Sequence, residues 1–501
     1  MPQTRRDFIK FVVAGSVAAD CPVDLALVTA PAAKRPKVDG EHNEICHQVR
    51  DGHHFDRPPV SKHYDVAIVG GGVSGLSAAY FLKDRDFLIL EKETHWGGNA
   101  YLEEYDGQAY ATGAAFIERS EDPAVNLARE IGLELLPVQN PDPTLVGGVF
   151  IEDTWGAGLD HLPYAGDVRE SFKKFRRDMQ AFPFASRHRE LDDEPFSKYF
   201  AGYEPEVKNW WDNFGPSNWG ARTEETSALL GIGTARAIAD ESKRDDRVTW
   251  PGGLGAITQR LADLLKPGHG DRMLAGATTV AVEQQKNQVS VTYLHDGELR
   301  TVAAKAVIMA TPKFITWRLV AGMPAAQSEA MKQIRYIPYP VVNVIFDRPV
   351  FNSGYDTWCP GNTFTDFIVA DWVVRKQPGY KQRHNILTFY TPLGITDRVR
   401  LLTEEECRDV AASVLRDFQK LRPEFNVDPV EIHLYRRGHA LYMSTPGNFT
   451  RVQPIARRSM ERIAFANTDS EGPESTTSKG IEAARRAVRE VEVMLAAKSV
   501  S

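Results

Sequence analysis

The stretch YDVAIVGGGVSGLSAAYFL contains a glycine-rich turn between a short apolar run and a helical pattern. Its glycines, Gly70, Gly72 and Gly75, follow the spacing G-x-G-x-x-G. In such a turn the first glycine makes the tight bend, the second brings backbone close to a pyrophosphate, and the third lets the helix pack on the strand. The helix begins near Val73 and Ser74, where its N–H groups face the phosphates. The turn therefore predicts a βαβ unit that binds a dinucleotide.

The next apolar run, DFLILE, predicts the second strand of this unit and ends in Glu91, 21 residues after Gly70. A carboxylate at this distance accepts hydrogen bonds from both hydroxyls of an adenosine ribose. Lys92 follows directly and is predicted to lie at the same cofactor contact. The spacing fits NAD and FAD equally well, so residues further along the chain must distinguish them.

The segment after this acid points to a flavin. Gly97 and Gly98 lie in EKETHWGGNA, and GQAYATGAAFIE follows. Both segments resemble the flavin-containing amine oxidase superfamily, where the glycine pair brings backbone close to the FAD pyrophosphate. In that superfamily the second segment, with Gly113 and Ala114 here, passes beside the flavin ring. Asn99 stands where the superfamily has an arginine.

A distant stretch, residues 278–312, alternates like a hairpin and ends in a strand followed by Ala310 and Thr311. It resembles the strand of the same superfamily that lies beside the adenine, with Val280 at the adenine. The strand before Ala310 resembles the one that returns to the dinucleotide-binding domain. The resemblance therefore extends beyond the first βαβ unit.

The segment RIAFANTDSEGPESTTSKGIEAARRAV resembles the closing motif of the superfamily. The resemblance implies that Asp469 bonds the ribityl or pyrophosphate part of FAD. A helix is expected to start near Thr477 and Ser478 and to direct its positive end at the flavin pyrimidine ring. Together these segments imply FAD as the cofactor.

The order of the segments also predicts the fold. We expect an α/β protein in which an interrupted Rossmann-type FAD-binding domain alternates with a discontinuous mixed α+β substrate domain. The predicted parts are a twin-arginine signal (1–33), an N-terminal arm (34–61), the FAD-binding domain (62–150, 250–320 and 445–501) and the substrate domain (151–249 and 321–444).

The expected chemistry is that of the flavin, which accepts hydride from a carbon next to nitrogen or desaturates a C–C bond. The general amine-oxidase pattern has a lysine near the flavin N5 on the strand aligned with YIPYPVVNVIF, but Val341 or Val342 falls there. Thr476 and Thr477 occupy the place where a tyrosine commonly precedes the closing helix. The residues thus differ in detail from the monoamine-oxidase pattern.

A closer resemblance comes from HNEICHQVRDG before the Rossmann strand and from LYRRGHALY near the C-terminus. Both are similar to exported spermidine-dehydrogenase-like flavoproteins, in which an R-x-x-H strand, here Arg436 and His439, faces the flavin. The resemblance implies that a neutral His439 holds substrate or shuttles a proton, with a packed strand histidine as the alternative. Tyr442 is the second catalytic candidate and is expected to form a cleft wall.

Some of those relatives carry haem b besides FAD, and an imidazole such as that of His47 is a suitable iron ligand. The alternative is that HQVRDG belongs to an arm docked by pairing of Arg50 with Asp51, and we favour this interpretation. No other metal site is predicted, because the four cysteines lie far apart.

Two further clusters have a functional and a structural interpretation. Trp210, Trp211 and Trp219 either line a substrate entrance or, as we favour, pack their helix. If the substrate is a polyamine, acidic groups should bind its ammonium ions; the candidates are Asp192, Asp193 and Glu194, but we favour a surface charge run.

The N-terminus, TRRDFIKFVVAG, resembles a twin-arginine export signal, a route that carries folded proteins. We therefore expect a periplasmic or otherwise exported protein. The net charge of -7 gives no basic face for nucleic acid. Nothing after residue 33 has the length of an apolar membrane span.

Three functions remain open at this point. The first is an exported FAD-dependent oxidoreductase that oxidises an amine or polyamine by hydride transfer and passes electrons to oxygen or a respiratory acceptor. The second is a desaturase or protoporphyrinogen-oxidase-like flavoenzyme. The third is a FAD-bound electron-transfer subunit without catalysis of its own.

Overall fold

The computed structural model of the chain describes residues 35–240 and 246–497. The predicted twin-arginine signal lies outside the described residues. Among the described residues no helix is long and apolar enough to cross a membrane.

The first sheet is built around Val60–Val69, the strand that leads into the glycine-rich turn. This strand lies parallel to Phe87–Leu90 on one side and to Glu298–Met309 on the other. Glu298–Met309 is also the last strand of the predicted hairpin and pairs antiparallel with Val289–His295. The remaining strands of this sheet are Met273–Leu274, Thr278–Gln284, Val320–Ala321 and Ile463–Phe465.

Helices cover both faces of this sheet, which explains why its central strands are continuously apolar. Val66, Ile68 and Ile89 point to one face, where four helices pack, and Val69, Leu88 and Val307 point to the other. The four helices are Val73–Phe81, Asp122–Glu130, Gly255–His269 and Thr477–Ala496.

The second sheet contains Val341–Phe346, paired antiparallel with Asn385–Tyr390 and with Glu431–Arg436. All six residues of Val341–Phe346 are buried, although the apolar residues of YIPYPVVNVIF alternate in the sequence. The reason is that both faces are covered. Val342 packs in the cluster that holds helix Glu404–Leu421, while Val341 contacts the side of the FAD-binding segments.

Three strands join this second sheet from outside the predicted substrate domain. Lys37–Gly40 of the arm lies parallel to Glu431–Arg436. Thr144–Val146 and Val149–Ile151, predicted to belong to the FAD-binding domain, form its opposite edge. The sheet therefore uses residues from three separate parts of the chain. Its other strands are Asp356–Trp358 and Asp366–Val369.

A helical region lies between residues 157 and 239, and its core is aromatic. Trp210, Trp211 and Trp219 are all buried there, so they pack the helix Pro205–Trp219 as we favoured from the sequence.

The remaining elements connect these regions. The helices are Glu44–Arg50, Ala157–Asp160, Gly166–Ala181, His188–Asp193, Phe196–Phe200, Ala228–Ala239, Gly270–Arg272, Lys313–Leu319, Ala325–Gln333, Ile395–Leu401, Pro423–Phe425, Asn448–Val452, Gln453–Ala456 and Thr468–Ser470. The short strands are Leu102–Tyr105, Gln108–Ala111, Ile117–Glu118, Leu136–Pro137, Arg247–Thr249, Tyr336–Ile337 and Leu441–Tyr442.

Candidate active site

A cavity of about 1660 Å³ runs from the glycine-rich turn to the second sheet. Its volume exceeds the usual size of a single small-molecule site, so it has room for a dinucleotide and a substrate. Most of the cofactor-binding residues predicted from the sequence line it. They are Gly70, Gly72, Val73, Ser74, Glu91, Lys92, Gly97, Gly98, Asn99, Gly113, Ala114, Ala310, Thr311, Thr477 and Ser478.

The glycine-rich turn has the geometry of a phosphate-binding loop. Gly70 has a φ of +107°, and a Cβ on Gly75 would lie 1.8 Å from the Gly70 carbonyl oxygen. Gly75 does not line the cavity. It faces the backbone of Gly70, and its missing side chain lets the helix Val73–Phe81 pack closely against the turn. A Cβ on Gly72, by contrast, meets nothing closer than 3.9 Å. Gly72 also pairs with Gly97, so the two predicted phosphate-binding turns lie side by side.

Glu91 is buried at the end of Phe87–Leu90 and faces the cavity. Its carboxylate accepts the N–H groups of Gly71, at 2.5 Å, and of Glu93, at 2.9 Å. Burial raises the pKa of Glu91, while Lys92 and these two bonds oppose the shift. An ionised carboxylate has about four acceptor positions, so acceptor capacity remains for two ribose hydroxyls.

Two long helices begin at the cavity wall. Val73–Phe81 starts at the glycine-rich turn, and Thr477–Ala496 starts on the closing segment, where the Thr476 side chain accepts the N–H of Lys479 at 3.2 Å. Both N-termini direct partial positive charge at the space between them. The glycine turns, the buried acid and these helix ends together fit FAD.

Two predicted cofactor contacts lie elsewhere. Asp469 is fully buried in an ion pair with Lys313, whose Nζ lies 2.5 Å from its Oδ1, and also accepts the Tyr336 hydroxyl. Its oxygens are therefore directed into the protein and do not line the cavity. Val280 is also displaced from the cavity, because a β-bulge shifts the register between Thr279 and Ala281.

The two catalytic candidates have different surroundings. Tyr442 is buried away from the cavity, and its hydroxyl donates to the Gly472 carbonyl at 3.1 Å, so the predicted cleft-wall role is wrong. His439 lines the cavity and stacks on Phe314 at 4.1 Å between ring centroids. Burial lowers the pKa of His439 to about 4, with the charge of Arg398 adding to the effect, so its imidazole is neutral at neutral pH.

The arm is docked differently from the prediction. Arg50 and Asp51 pair with each other at 2.7 Å, as expected. Both side chains are exposed, so this pair does not hold the arm against the rest of the protein. Docking comes instead from Cys46 and Val49, which pack against the first sheet, and from the strand Lys37–Gly40. No group of three or more metal-ligating side chains occurs among residues 35–240 and 246–497.

The predicted acidic cluster does not face the cavity. Asp192 is buried and accepts hydrogen bonds from Ser227 and Thr450, at 3.0 and 2.7 Å. Asp193 pairs with Arg451, and Glu194 with Lys198. The pairs of Asp193 and Glu194 agree with the charge run that we favoured, whereas Asp192 is buried and connects neighbouring segments.

Several acids line the cavity, and two of them, Asp356 and Asp366, lie on adjacent strands of the second sheet. Both are almost completely buried. Burial and the neighbouring Asp366 raise the pKa of Asp356 well above its usual range, and burial raises that of Asp366 to about 7. Arg247 lies 3.2 Å from Asp356 and 2.8 Å from Asp142. When Asp366 is ionised, it adds a negative charge to this part of the cavity.

Aromatic side chains connect these acids to the predicted flavin-side turn. Tyr390 pairs with Asp366 across the strands, and its hydroxyl donates to the Gly113 carbonyl at 2.7 Å. The Tyr339 ring lies 5.9 Å from that of Tyr390, and Phe116 lines the same region. We call this region, defined by Phe116, Tyr339, Asp356, Asp366 and Tyr390, the acidic chamber.

Nothing in the sequence identified the acidic chamber. Asp356 and Asp366 lie in GYDTWCPGNTFTDFIV, which contains no motif with a known spacing. The only available signal was their position in apolar strand-like runs, where an unpaired acid is costly. That signal does not say which cavity the acids face.

The fold and the cavity define a FAD-dependent oxidoreductase. The model of the family described as "Flavin containing amine oxidoreductase" matches residues 73–492, and the chain belongs to this family. The predicted family, fold class and cofactor are thereby confirmed.

Individual relatives agree with this assignment. Oxidoreductase PigB of Serratia sp. (strain ATCC 39006) is 27% identical over 524 residues, covering 85% of this chain and 75% of PigB. Flavin-containing amine oxidase B of Homo sapiens is 24% identical over 465 residues, covering 86% of each chain. Wild-type putrescine oxidase bound to putrescine has a TM-score of 0.66 and 18% identity, over 86% of this chain and 99% of that chain. This last likeness shows the fold alone.

Proposed function

We propose that this chain is an exported enzyme that oxidises an amine, with a polyamine or diamine as the preferred class. The observation that carries the proposal is the acidic chamber, where two buried carboxylates face the same cavity as the FAD-binding turns. Bound FAD supplies the acceptor for hydride from the carbon next to the amine nitrogen. The similarity to relatives named as flavin-containing amine oxidases supports an amine as the substrate.

The chain's own residues account for binding and orientation. An ammonium group is desolvated at low cost only where it meets a negative charge, and Asp356 and Asp366 supply one. Tyr339 and Tyr390 give the methylene part of an amine apolar walls and also exclude water. Because Tyr390 bonds Gly113, these walls are fixed relative to the segment expected beside the flavin ring.

A substrate test distinguishes this proposal from its alternatives. Purified holoenzyme is mixed anaerobically with spermidine, putrescine, a simple monoamine or a porphyrinogen, and loss of the oxidised flavin absorbance is followed. We expect rapid loss with the diamine or polyamine. In Asp366→Asn, the amine concentration for half-maximal rate should rise by about 10-fold or more, since a charged hydrogen bond contributes about 1.5–3 kcal/mol.

Asp193→Asn is the matched control, because Asp193 pairs with Arg451 and does not line the cavity. Its flavin should be reduced by the amine at the same concentrations as in the wild type. If Asp366→Asn holds its FAD and reacts with amines at unchanged concentration, the acidic chamber does not bind the ammonium. Adding oxygen or a quinone to the reduced enzyme then shows which acceptor takes the electrons.

One observation favours the desaturase or porphyrinogen-oxidase alternative. Val341, where the family pattern has a lysine, lines the cavity and leaves that position apolar. Bleaching by the porphyrinogen and not by any amine would establish this second function. If none of the substrates reduces the flavin, the electron-transfer subunit becomes the remaining interpretation.

Export is supported by the sequence TRRDFIKF. Cell fractionation of the wild type and of a variant with Arg5→Lys and Arg6→Lys tests it, using the same antibody for both proteins. We expect periplasmic protein for the wild type and retention in the cytoplasm for the variant. Equal distribution of the two proteins would contradict the export proposal.

A further inference from the structure

Arg437 is a buried guanidinium whose hydrogen bonds go to neutral groups. It follows the strand Glu431–Arg436 directly, is 5% exposed and lines the cavity. Its Nε and Nη2 donate to the Thr112 carbonyl at 3.1 and 3.0 Å, and Nη2 also donates to the Thr112 hydroxyl at 2.8 Å. The hydrogen bonds that the structure shows for this guanidinium go to neutral oxygens, and the carboxylates of Glu41 and Glu93 act on its charge without a hydrogen bond to it.

The remaining nitrogen, Nη1, points toward the second phosphate-binding turn. It lies 3.3 Å from the Gly98 carbonyl and 3.3 Å from the Asn99 side-chain oxygen. These two contacts are longer than the bonds to Thr112, and good N–H···O bonds are about 2.9–3.0 Å long. Asn99 is held in place from the same segment, because its amide donates to the Ala440 carbonyl at 2.8 Å. Of the three guanidinium nitrogens, Nη1 therefore makes the weakest hydrogen bonds within the protein, and it can donate to a ligand with the smallest loss of such bonds.

Asn99 is also the position where the residues depart from the amine-oxidase pattern, which has an arginine after the glycine pair. A buried cation is costly unless an anion accompanies it. The cavity beside Gly98 is where the FAD pyrophosphate is expected, and that group carries the missing negative charge. We propose that Arg437 supplies the positive charge for the FAD pyrophosphate in this chain, from the second sheet instead of from position 99.

This proposal assigns Arg437 as a cofactor-binding residue. It explains why an arginine is buried at the end of a strand whose other residues belong to the substrate side of the molecule. It also explains how Asn99 is tolerated: a guanidinium arrives from a segment more than 300 residues later in the chain. Burial lowers the pKa of Arg437 and the charges of Glu41 and Glu93 oppose this shift, so a bound anion would stabilise the guanidinium further.

The test is FAD dissociation from the purified holoenzyme, followed by the gain of free-flavin fluorescence after dilution. In Arg437→Gln we expect FAD affinity to fall by about 10- to 100-fold, the range for loss of a hydrogen bond to a charged group. Asn99→Arg added to Arg437→Gln should restore affinity, because it returns the guanidinium to the position used in the family pattern. The midpoint potential of the bound flavin should stay unchanged.

Arg398→Gln is the matched control. Arg398 is half-buried, donates to the neighbouring Gly438 carbonyl at 2.8 Å and does not line the cavity. It should keep wild-type FAD affinity even if it lowers thermal stability. If Arg437→Gln folds poorly, Arg437→Lys retains the charge without the planar fork and should show an intermediate loss.

Three results would overturn the proposal. The first is wild-type FAD affinity in folded Arg437→Gln. The second is an equal loss of affinity in Arg398→Gln, which would indicate general destabilisation. The third is a lowered flavin midpoint potential with unchanged affinity, which would place the guanidinium at the isoalloxazine ring instead of the pyrophosphate.

Discussion

Asp469→Asn should destabilise the fold and leave FAD binding nearly unchanged. Asp469 and Lys313 are both completely buried, and the Lys313 Nζ also lies 2.7 Å from the Ser470 hydroxyl. Burial lowers the pKa of Lys313, and the charge of Asp469 opposes that shift. Removing one partner of such a pair leaves an uncompensated buried charge and costs about 3–5 kcal/mol.

The double variant tests whether the two residues stabilise the fold as a pair, through its free energy of unfolding. If they acted independently, Lys313→Met and Asp469→Asn together would cost about 6–10 kcal/mol. The double variant leaves neither charge unpaired, so we expect it to cost well under that sum. Urea unfolding followed by tryptophan fluorescence, with saturating FAD and without added FAD, measures all four proteins.

The same variants test the family resemblance, which implied that Asp469 bonds the ribityl or pyrophosphate part of FAD. If Asp469→Asn unfolds at the wild-type urea concentration but loses FAD affinity about 10-fold, the resemblance is right. The ion pair with Lys313 would then not describe the FAD-bound protein. Asp193→Asn, at the surface, controls for a general effect of removing an acid.

Three further predictions concern the cavity. Gly75→Ala should abolish FAD retention during purification, because its Cβ would lie 1.8 Å from the Gly70 carbonyl oxygen; a yellow Gly75→Ala protein would contradict this. The amine concentration for half-maximal flavin reduction should rise as pH falls below about 7, because burial raises the pKa of Asp366 to about 7 and only its ionised form attracts an ammonium. The same pH step in Asp366→Asn would contradict this assignment. Tyr390→Phe removes the bond to the Gly113 carbonyl and should lower the free energy of unfolding by about 1 kcal/mol, measured in urea, with FAD content unchanged.

The cofactor-binding half of the cavity was predictable because its determinants are local. The positions of Gly70, Gly72 and Gly75 are fixed by one turn between a strand and a helix, and Glu91 ends the adjacent strand. Their contacts depend on backbone geometry that a short sequence specifies. The spacing alone therefore predicted that the turn and the acid would lie together, and Gly70, Gly72 and Glu91 do line one cavity.

The substrate half was not predictable for the opposite reason. Asp366 faces the cavity because its strand pairs with Asn385–Tyr390, and the sequence gives no sign of that pairing. Asp192 lies in an acidic run and was a candidate for binding an ammonium group. Its carboxylate instead accepts hydrogen bonds from the hydroxyls of Ser227 and Thr450, which lie far from it in the sequence. Which acid faces the cavity depends on tertiary contacts, because the sequence around Asp192 is more acidic than that around Asp366 and yet only Asp366 lines the cavity.

Asp469 shows the same limit within a recognised motif. The segment around it matches the closing motif, yet its carboxylate turns toward a lysine 156 residues earlier in the chain. Nothing in TPKFITW indicated that Lys313 would be fully buried. A motif thus fixes the path of the backbone more reliably than the direction of a charged side chain.

The arm strand Lys37–Gly40 has a consequence for the order of synthesis. It lies parallel to Glu431–Arg436, nearly 400 residues away, and Arg437 follows directly after that partner. A ribosome has therefore made most of the polypeptide before this edge can form, and closing so long a loop is slow. Nascent chains should capture flavin only near the end of translation, so cofactor loading would report that the whole molecule has been completed.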